Sequence, residues 1–195
     1  MAEDYLDRLA GFVAGVRLED LDESTVAAAK NVVLDTIGAI LAGSRMAENA
    51  NFARFALTTG PGKSSLFGHG GKVQPMFAAL VNATAGVALE MDEGSRLGGG
   101  HPSIHVSPGA VAVAEDRGSS GKELLESIIA GYEVTSRIGT ATEAKDEIHS
   151  HGTWGTIGSA VATAKLMGFD QSQTTQAINI AASRSEERRG GKECK

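Results

Sequence analysis

The sequence has little positive charge, a single cysteine and few aromatic residues. It contains 18 lysines and arginines against 24 aspartates and glutamates, which gives a net charge of -6. Proteins that bind nucleic acid carry clustered basic side chains that neutralise phosphates, so no nucleic-acid partner is expected. The single cysteine, Cys194, excludes a disulfide framework and a cysteine-based zinc site, and it is typical of the reducing cytoplasm.

Long hydrophobic runs are absent as well. No apolar run approaches the ~18 residues that a membrane span needs, and the acidic N-terminal stretch lacks the basic and apolar regions of a signal peptide. No membrane partner is therefore expected. The apolar fraction of 42% suffices for a folded core, but the aromatic share is only 5%. A core made mainly of alanine, valine, isoleucine and leucine favours an all-α fold with small-residue packing over a β-sandwich.

Apolar residues recur at steps of three and four along most of the chain, which predicts seven or eight helices. Helix starts are predicted at side chains that can cap an N-terminus, namely Ser24, Ser120, and either Asp170 or Ser172. The glycine-rich stretch 64–73 is predicted to form a loop or a small hairpin.

Two of the predicted helices carry clear apolar stripes. In the helix after the first cap, the predicted buried stripe is Val26, Val33, Ile37 and Leu41. In the helix that Pro75 opens, one face carries Met76, Leu80, Ala83, Val87 and Met91. Pro102 and Pro108 predict extended or turning backbone, so the following helix is expected to start only at 107–108.

The last residues of the chain differ from the rest. From Arg184 to Lys195 there are five basic and three acidic residues, and no apolar side chain other than Cys194. Such a segment cannot join a core. We therefore divide the chain into a helical domain over residues 1–183 and a charged tail over residues 184–195, which has the look of a vector- or adaptor-derived translation.

Ionisable side chains concentrate in two short stretches. The first, Glu90–His105, holds three carboxylates, an arginine, three consecutive glycines and two histidines, and the second is His149–His151. We expect the two stretches to meet and to form half of an active site. The glycine run is expected to give His101 the freedom to move toward a substrate.

A metal site is the first alternative for these stretches, because their four histidines and a nearby carboxylate would supply enough ligands. The spacing of His101 and His105 suits a metal mainly when both lie on one helix, and the prolines argue against a helix there. Nucleophilic catalysis is the second alternative. Neither Ser95, Ser103 nor Ser107 lies in a GxSxG elbow, so the sequence favours neither chemistry.

General acid–base catalysis suits the residues best. A histidine titrates near neutrality, and a carboxylate beside it can orient the ring and tune its proton affinity. A pair of solvated surface loops explains the same residue types equally well.

Five stretches are similar to the MmgE/PrpD family, which includes 2-methylcitrate dehydratase, cis-aconitate decarboxylase and iminodisuccinate epimerase. They are VVLDTIGAILAGS, AALVNATAGVALEMDEG, GHPSIHVSPGAVAVAE, GKELLESIIAGYEV and HSHGTWGTIGSAVATAKLMGFD. The resemblance covers nearly all of residues 5–183. Its most specific part is HPS after an acidic helix end, followed by H-x-x-GTWG-x-x-GSA.

The resemblance implies a lyase that acts on a small di- or tricarboxylate without a metal or an organic cofactor. It implies a proton-transfer role for His101, an orienting role for Asp92 or Glu90, and a second acid–base or carboxylate-binding role for His149. Substrate-binding roles are implied for Ser103, His105, His151 and Thr153.

The chain departs from the family in sequence and in length. Glu90 stands where the family has aspartate, and Gly94 or Ser95 stands where many members have threonine. Family members continue into a catalytic lysine and an α/β lid domain. This chain is therefore expected to be a weakly active or inactive fragment of a protein that forms a homodimer at full length. A rival of another class is a non-catalytic interaction module that docks through small residues, among them Gly155, Gly158 and Ala162.

Overall fold

The computed structural model describes residues 5–143 and 152–184, in which the periodic apolar stretches form helices. The helices are α1 (Tyr5–Gly15), α2 (Glu23–Gly43), α3 (Ala47–Thr58), α4 (Pro75–Val87), α5 (Pro102–Arg117), α6 (Gly121–Ala141), α7 (Trp154–Leu166) and α8 (Gln171–Ser183). A 3₁₀ turn, Leu18–Asp20, follows α1, and the strands β1 (Ser64–Leu66) and β2 (Gly71–Val73) pair antiparallel. The predicted all-α fold is confirmed, and the described residues contain no α/β lid domain.

Capping side chains fix the starts of several helices. Ser120 and Asp170 each form a capping box with the residue three positions later. Ser120 is the predicted cap of its helix, and Asp170 is the one of the two predicted alternatives that caps α8. Helix α2 is capped by Asp22, and not by the predicted Ser24. The Asp22 carboxylate accepts hydrogen bonds from the Ser24 hydroxyl at 2.5 Å and from the Thr25 backbone N–H at 2.8 Å. These bonds lower the pKa of Asp22 to about 2, so the cap is charged at neutral pH.

Helix α5 begins earlier than the sequence predicts. Pro102 occupies its first turn, and Pro108, the predicted start, lies inside the helix. An internal proline lacks a helix hydrogen bond and typically costs ~3 kcal/mol. Helix α5 packs against α4, α6 and α7 and buries nine of its residues, so burial outweighs that cost. His105 therefore lies on a helix and not in an extended segment.

Small residues, and not the predicted apolar stripes, line the contact between α2 and α4. A Cβ on Gly43 would lie 1.9 Å from the Ala85 carbonyl oxygen, so the crossing requires glycine. The larger residues of the predicted stripes lie outside. They are Leu41, Met76, Leu80 and Met91, with exposed fractions of 43%, 68%, 51% and 73%.

Helices α6 and α7 also cross at small residues. A Cβ on Gly158 would lie 1.7 Å from Thr135 Oγ1, and one on Gly131 would lie 2.7 Å from the Gly158 carbonyl oxygen and 3.1 Å from Ala162 Cβ. Gly158 and Ala162 are two of the positions that the rival interpretation assigns to docking on a partner. They are buried contacts within this chain, so they do not form an exposed docking surface.

Helix α1 packs against α8, which brings distant parts of the chain together. Gln171 Nε2 donates to the Asp7 carbonyl at 2.8 Å. Lys165 Nζ donates to the Val13 carbonyl at 2.9 Å, where the last turn of α1 favours a cation. Burial lowers the pKa of Lys165.

Within the described residues, one helix is long and apolar enough to cross a membrane by length and composition, and that helix is α2. No such run is expected from the sequence, and the difference arises because the mean hydropathy of 1.4 averages over Lys30 and Asp35. This is weak support for a membrane span, because core helices of globular proteins meet the same criterion.

Candidate active site

The stretch that follows α4 places a histidine beside a buried carboxylate. His101 Nδ1 lies 3.4 Å from Asp92 Oδ2, and the Asp92 side chain is 2% exposed. The His101 side chain is 30% exposed, so the ring lies between the core and solvent. The structure thus brings together two residues to which the family resemblance assigns catalytic roles.

Two backbone carbonyls determine which nitrogen of His101 carries the proton. His101 Nδ1 lies 2.9 Å from the Glu93 carbonyl oxygen and 3.2 Å from the Asp92 carbonyl oxygen. Carbonyl oxygens only accept hydrogen bonds, so Nδ1 is the donor. In the neutral ring Nε2 is then the basic nitrogen, which is the form that a general base needs.

The Asp92 carboxylate is available to act through its charge. Its Oδ2 atom is buried and accepts no hydrogen bond within the part of the chain that the structure describes. A buried carboxylate oxygen without such a bond is costly in a folded protein. A positive charge that develops on the adjacent imidazole would offset that cost.

The loop between Asp92 and His101 is packed tightly onto α6. Ser95 accepts from the backbone N–H of Gly98 with its hydroxyl and from that of Gly99 with its carbonyl, at 3.1 Å and 3.0 Å. Gly98 is buried, and a Cβ there would lie 2.8 Å from Ser136 Cα. The predicted role of the glycines as slack is therefore wrong for Gly98, because this position permits close contact and does not provide room for motion.

Glu93 is the site residue that the sequence analysis left without a role. Its Oε2 accepts from the Ser103 backbone N–H at 3.2 Å, and its Oε1 accepts a close hydrogen bond from the Tyr132 hydroxyl. Burial, followed by this hydrogen bond, raises the pKa of Tyr132 well above its usual range. The Tyr132 contact joins residues 39 positions apart, so no local pattern in the sequence predicts it.

The predicted substrate-binding Ser103 lies in the interior. Ser103 is 0% exposed, and its hydroxyl lies 2.6 Å from Thr36 Oγ1 and 2.9 Å from Ser107 Oγ. The three hydroxyls form a buried chain between α2 and α5. In this structure the Ser103 hydroxyl therefore links helices, while its backbone N–H binds Glu93.

His105 and Thr153 lie at the contact between α5 and α7. The His105 ring packs against Gly155, where a Cβ would lie 2.6 Å from the ring, and Thr153 is the N-cap of α7. Gly155 thus keeps the start of α7 close to His105. The close contact with the ring accounts for glycine at position 155. The substrate-binding roles of His105 and Thr153 stay predictions.

Of the remaining predicted residues, one is exposed just after the end of α4 and two lie outside the described residues. Glu90 is exposed and has a φ of +51°, a backbone region that non-glycine residues rarely adopt. Within residues 5–143 and 152–184, no side chain bonds to its carboxylate. His149 and His151 lie outside the described residues, and so does the predicted meeting of the two stretches.

Metal binding requires three or more ligands in one place. Among the residues that the structure describes, no group of three histidine, cysteine, aspartate or glutamate side chains is arranged to hold a metal ion. The His101–Asp92 pair supplies two such donors, fewer than a zinc site uses.

Comparison with known proteins assigns this chain to a family. The sequence matches the MmgE/PrpD N-terminal domain over residues 7–190. Curated relatives include the cis-aconitate decarboxylase-like protein oryM of Aspergillus oryzae, 26% identical over 189 residues that cover 91% of this chain and 39% of the relative.

Two further relatives are named cis-aconitate decarboxylase. The protein of Aspergillus terreus is 25% identical over 184 residues, which cover 89% of this chain and 38% of the relative. The human protein is 28% identical over 193 residues, which cover 94% of this chain and 40% of the relative. The chain therefore spans only 38–40% of the length of these curated relatives.

Proposed function

Because this chain belongs to the MmgE/PrpD family, we propose that it forms the helical part of a cofactor-independent lyase. The lyase moves a proton at a carbon next to a carboxylate of a small di- or tricarboxylate. The observation that supports this proposal is the His101–Asp92 pair, in which Nδ1 is held by backbone carbonyls and a buried carboxylate lies 3.4 Å away.

The pair supports proton transfer through His101 Nε2. When Nε2 takes a proton from the substrate carbon, the ring becomes an imidazolium. The charge of Asp92 then stabilises that cation, and it does so more strongly than an exposed carboxylate because less water screens it. In a dehydration, a second group must protonate the departing hydroxide, and we assign that role to His149 from the family motif alone.

The reaction catalysed by the full-length parent has two leading candidates. The sequence resemblance favours dehydration of a 2-methylcitrate-like substrate, and an epimerisation would share the first proton abstraction. The names of the relatives favour decarboxylation of cis-aconitate. In that reaction, loss of carbon dioxide leaves an electron pair that is delocalised through the substrate double bond. Protonated Nε2 would deliver its proton to the carbon next to a remaining carboxylate where that pair ends, so the same residue serves both candidates.

The test measures turnover of the full-length parent on both substrates. His101→Gln is expected to lower water loss from 2-methylcitrate, or carbon dioxide release from cis-aconitate, by about 10²-fold or more. His69→Gln is the matched control, because His69 lies in the hairpin connection between β1 and β2. A normal rate in His101→Gln, with the fold intact, would refute the assignment.

The chain as given is proposed to have weak or no turnover. It spans 38–40% of the relatives' length, and the lysine and lid that the family resemblance implies are expected in the part that this chain does not cover. Rapid turnover by the purified 195-residue chain would contradict this proposal. We also propose a cytoplasmic location, because this chain contains one cysteine and therefore no disulfide of its own.

We propose in addition that the full-length parent is a homodimer that buries the outer faces of α2 and α4. Leu34, Met76 and Leu80 on these faces are 69%, 68% and 51% exposed. Apolar surface patches mark interfaces when they are contiguous, and we propose that these residues form one patch. Leu34→Glu combined with Leu80→Glu is expected to give monomers in sedimentation velocity. Ile180→Glu, on the exposed side of α8, is the control. A dimer that persists in the double variant would exclude these faces.

A further inference from the structure

We propose that Glu93 is a positioning residue for His101. Its carboxylate ties the loop to α5 and α6, and this attachment fixes the backbone carbonyl that holds the imidazole. The catalytic meaning of the inference rests on the proton-transfer function proposed above. The tautomer that Glu93 sets is measurable without any turnover.

Three contacts converge on this one residue. The carboxylate accepts from the Ser103 backbone N–H at 3.2 Å and from the Tyr132 hydroxyl. The main-chain carbonyl of the same residue accepts from His101 Nδ1 at 2.9 Å. The side chain of Glu93 is thus anchored to two helices, while its backbone holds the ring.

The Ser103 contact sets the position of Glu93 relative to His101. His101 is the N-cap of α5 and its side chain makes no capping hydrogen bond, so the first N–H groups of the helix need another acceptor. Glu93 supplies that acceptor from the preceding loop, and its negative charge is favourable at a helix N-terminus. The same contact therefore anchors the start of α5 and the residue that holds His101.

The Tyr132 contact holds the second oxygen of the Glu93 carboxylate. Tyr132 lies on α6, and its ring lines a cavity of about 260 Å³ between α2 and α6. The raised pKa of the phenol keeps the hydroxyl protonated, so it remains a donor to Glu93 throughout the neutral range. Tyr132→Phe would keep the ring that lines the cavity and remove the hydroxyl, which donates to Glu93 and also has a hydrogen bond with Ser95.

The experiment measures the tautomer of His101 by long-range ¹H–¹⁵N correlation NMR of the 195-residue chain. Spectra are recorded at about pH 8.5, roughly two units above the ordinary histidine pKa. The wild-type ring is expected to be mainly the Nδ1–H tautomer. Glu93→Gln and Tyr132→Phe are each expected to lower the ratio of Nδ1–H to Nε2–H by about fivefold, the effect of losing one ordinary hydrogen bond.

A matched control exists at the other end of the same helix. Glu115 accepts from the Ser65 backbone N–H and from the Ser65 hydroxyl, each at 2.6 Å, and it has no contact with His101. Glu115→Gln is expected to lower the thermal midpoint while leaving the tautomer ratio at its wild-type value.

Two results would overturn the proposal. The first is an unchanged His101 tautomer in both Glu93→Gln and Tyr132→Phe, which would leave Glu93 with a structural role only. The second is an equal change of the tautomer ratio in Glu115→Gln, which would show that the ratio follows the overall stability of the chain and not the Glu93 contact. If Glu93→Gln fails to fold, Tyr132→Phe decides the outcome. If the wild-type parent has no turnover on either substrate while Glu93→Gln or Tyr132→Phe shifts the tautomer ratio, the proposed function is refuted and this inference stands.

Discussion

Each end of α5 is attached to its surroundings by a glutamate whose carboxylate accepts two hydrogen bonds. At the C-terminal end, Glu115 binds Ser65 and holds the hairpin. At the N-terminal end, Glu93 binds Ser103 and Tyr132. The N-terminal end also has a histidine and a second carboxylate, Asp92, whose Oδ2 accepts no hydrogen bond within the described residues.

The comparison separates two kinds of acid. Glu115 and Glu93 have both carboxylate oxygens in hydrogen bonds, which tie neighbouring elements of the fold together. Asp92 is buried and keeps one oxygen without a hydrogen bond, 3.4 Å from the ring of a histidine. The second kind, and not burial alone, identifies the start of α5 as the candidate site.

The largest expected effect is on turnover. Asp92→Asn in the full-length parent is expected to lower turnover by about 10²-fold or more, because the imidazolium loses its neighbouring charge. Glu115→Gln is expected to leave turnover near the wild-type value. Steady-state assays on both candidate substrates measure this. Equal losses in the two variants would remove the distinction between the ends of α5.

The second effect concerns a glycine near each end of α5. Gly98→Ala is expected to destabilise the chain by about 1–3 kcal/mol, because the new Cβ meets the α6 backbone, and to lower turnover in the parent as well. Gly118 has a φ of +71° and open space around its Cβ position. Gly118→Ala is expected to cost about 1–2 kcal/mol of backbone strain with turnover unchanged.

Urea unfolding of the wild type, each single variant and the double variant measures how much free energy of unfolding each substitution costs. The sites are well separated, so their free energies should add. Turnover that falls equally in Gly98→Ala and Gly118→Ala would mean that loop packing at the site has no special importance.

The third effect is on stability at the C-terminal end of α5. Glu115→Gln is expected to cost about 1–2 kcal/mol, since one of the two charged hydrogen bonds to Ser65 is lost. Chemical denaturation measures this, with Ser65→Ala as the partner variant. Because the two residues share the contact, the double variant should cost less than the sum of the single variants. An additive result would show that the contact contributes little.

The smallest effect is on the pH dependence of stability. Burial and the Glu93 hydrogen bond raise the pKa of Tyr132 in the folded chain above the ordinary unfolded value of about 10. The folded state therefore holds this proton more tightly, and the resulting stability is complete below about pH 10 and is lost as the pH rises beyond it. Urea midpoints between about pH 9 and 11 should fall more steeply for wild type than for Tyr132→Phe. Equal slopes of urea midpoint against pH in the two proteins would argue against the hydrogen bond between Tyr132 and Glu93.

Features set by neighbouring residues were predictable from the sequence. The capping boxes at Ser120 and Asp170 depend on residues three positions apart, and both starts are confirmed. The hairpin at 64–73 follows from its glycines. The family resemblance is confirmed by the match over residues 7–190.

Features set by tertiary contacts were not predictable. The start of α5 at Pro102 depends on burial against three other helices, which outweighs the local effect of Pro108. The outward position of Leu80 follows from the close approach of Gly43 to α4, which lets small residues face inward. The role of Glu93 depends on Tyr132, which belongs to a helix that no short pattern joins to it.

The contact between α1 and α8 has a consequence for the time at which the chain can fold. The hydrogen bond from Gln171 to the Asp7 carbonyl joins residues 164 positions apart. At the ordinary synthesis rate of about 5–20 residues per second, α1 waits roughly 10–30 s on the ribosome before its main partner exists. During that interval, Leu9 and Val13, which are buried in the finished protein, have no α8 to cover them. Helix α1, which is made before the other described helices, is thus among the last of them to dock.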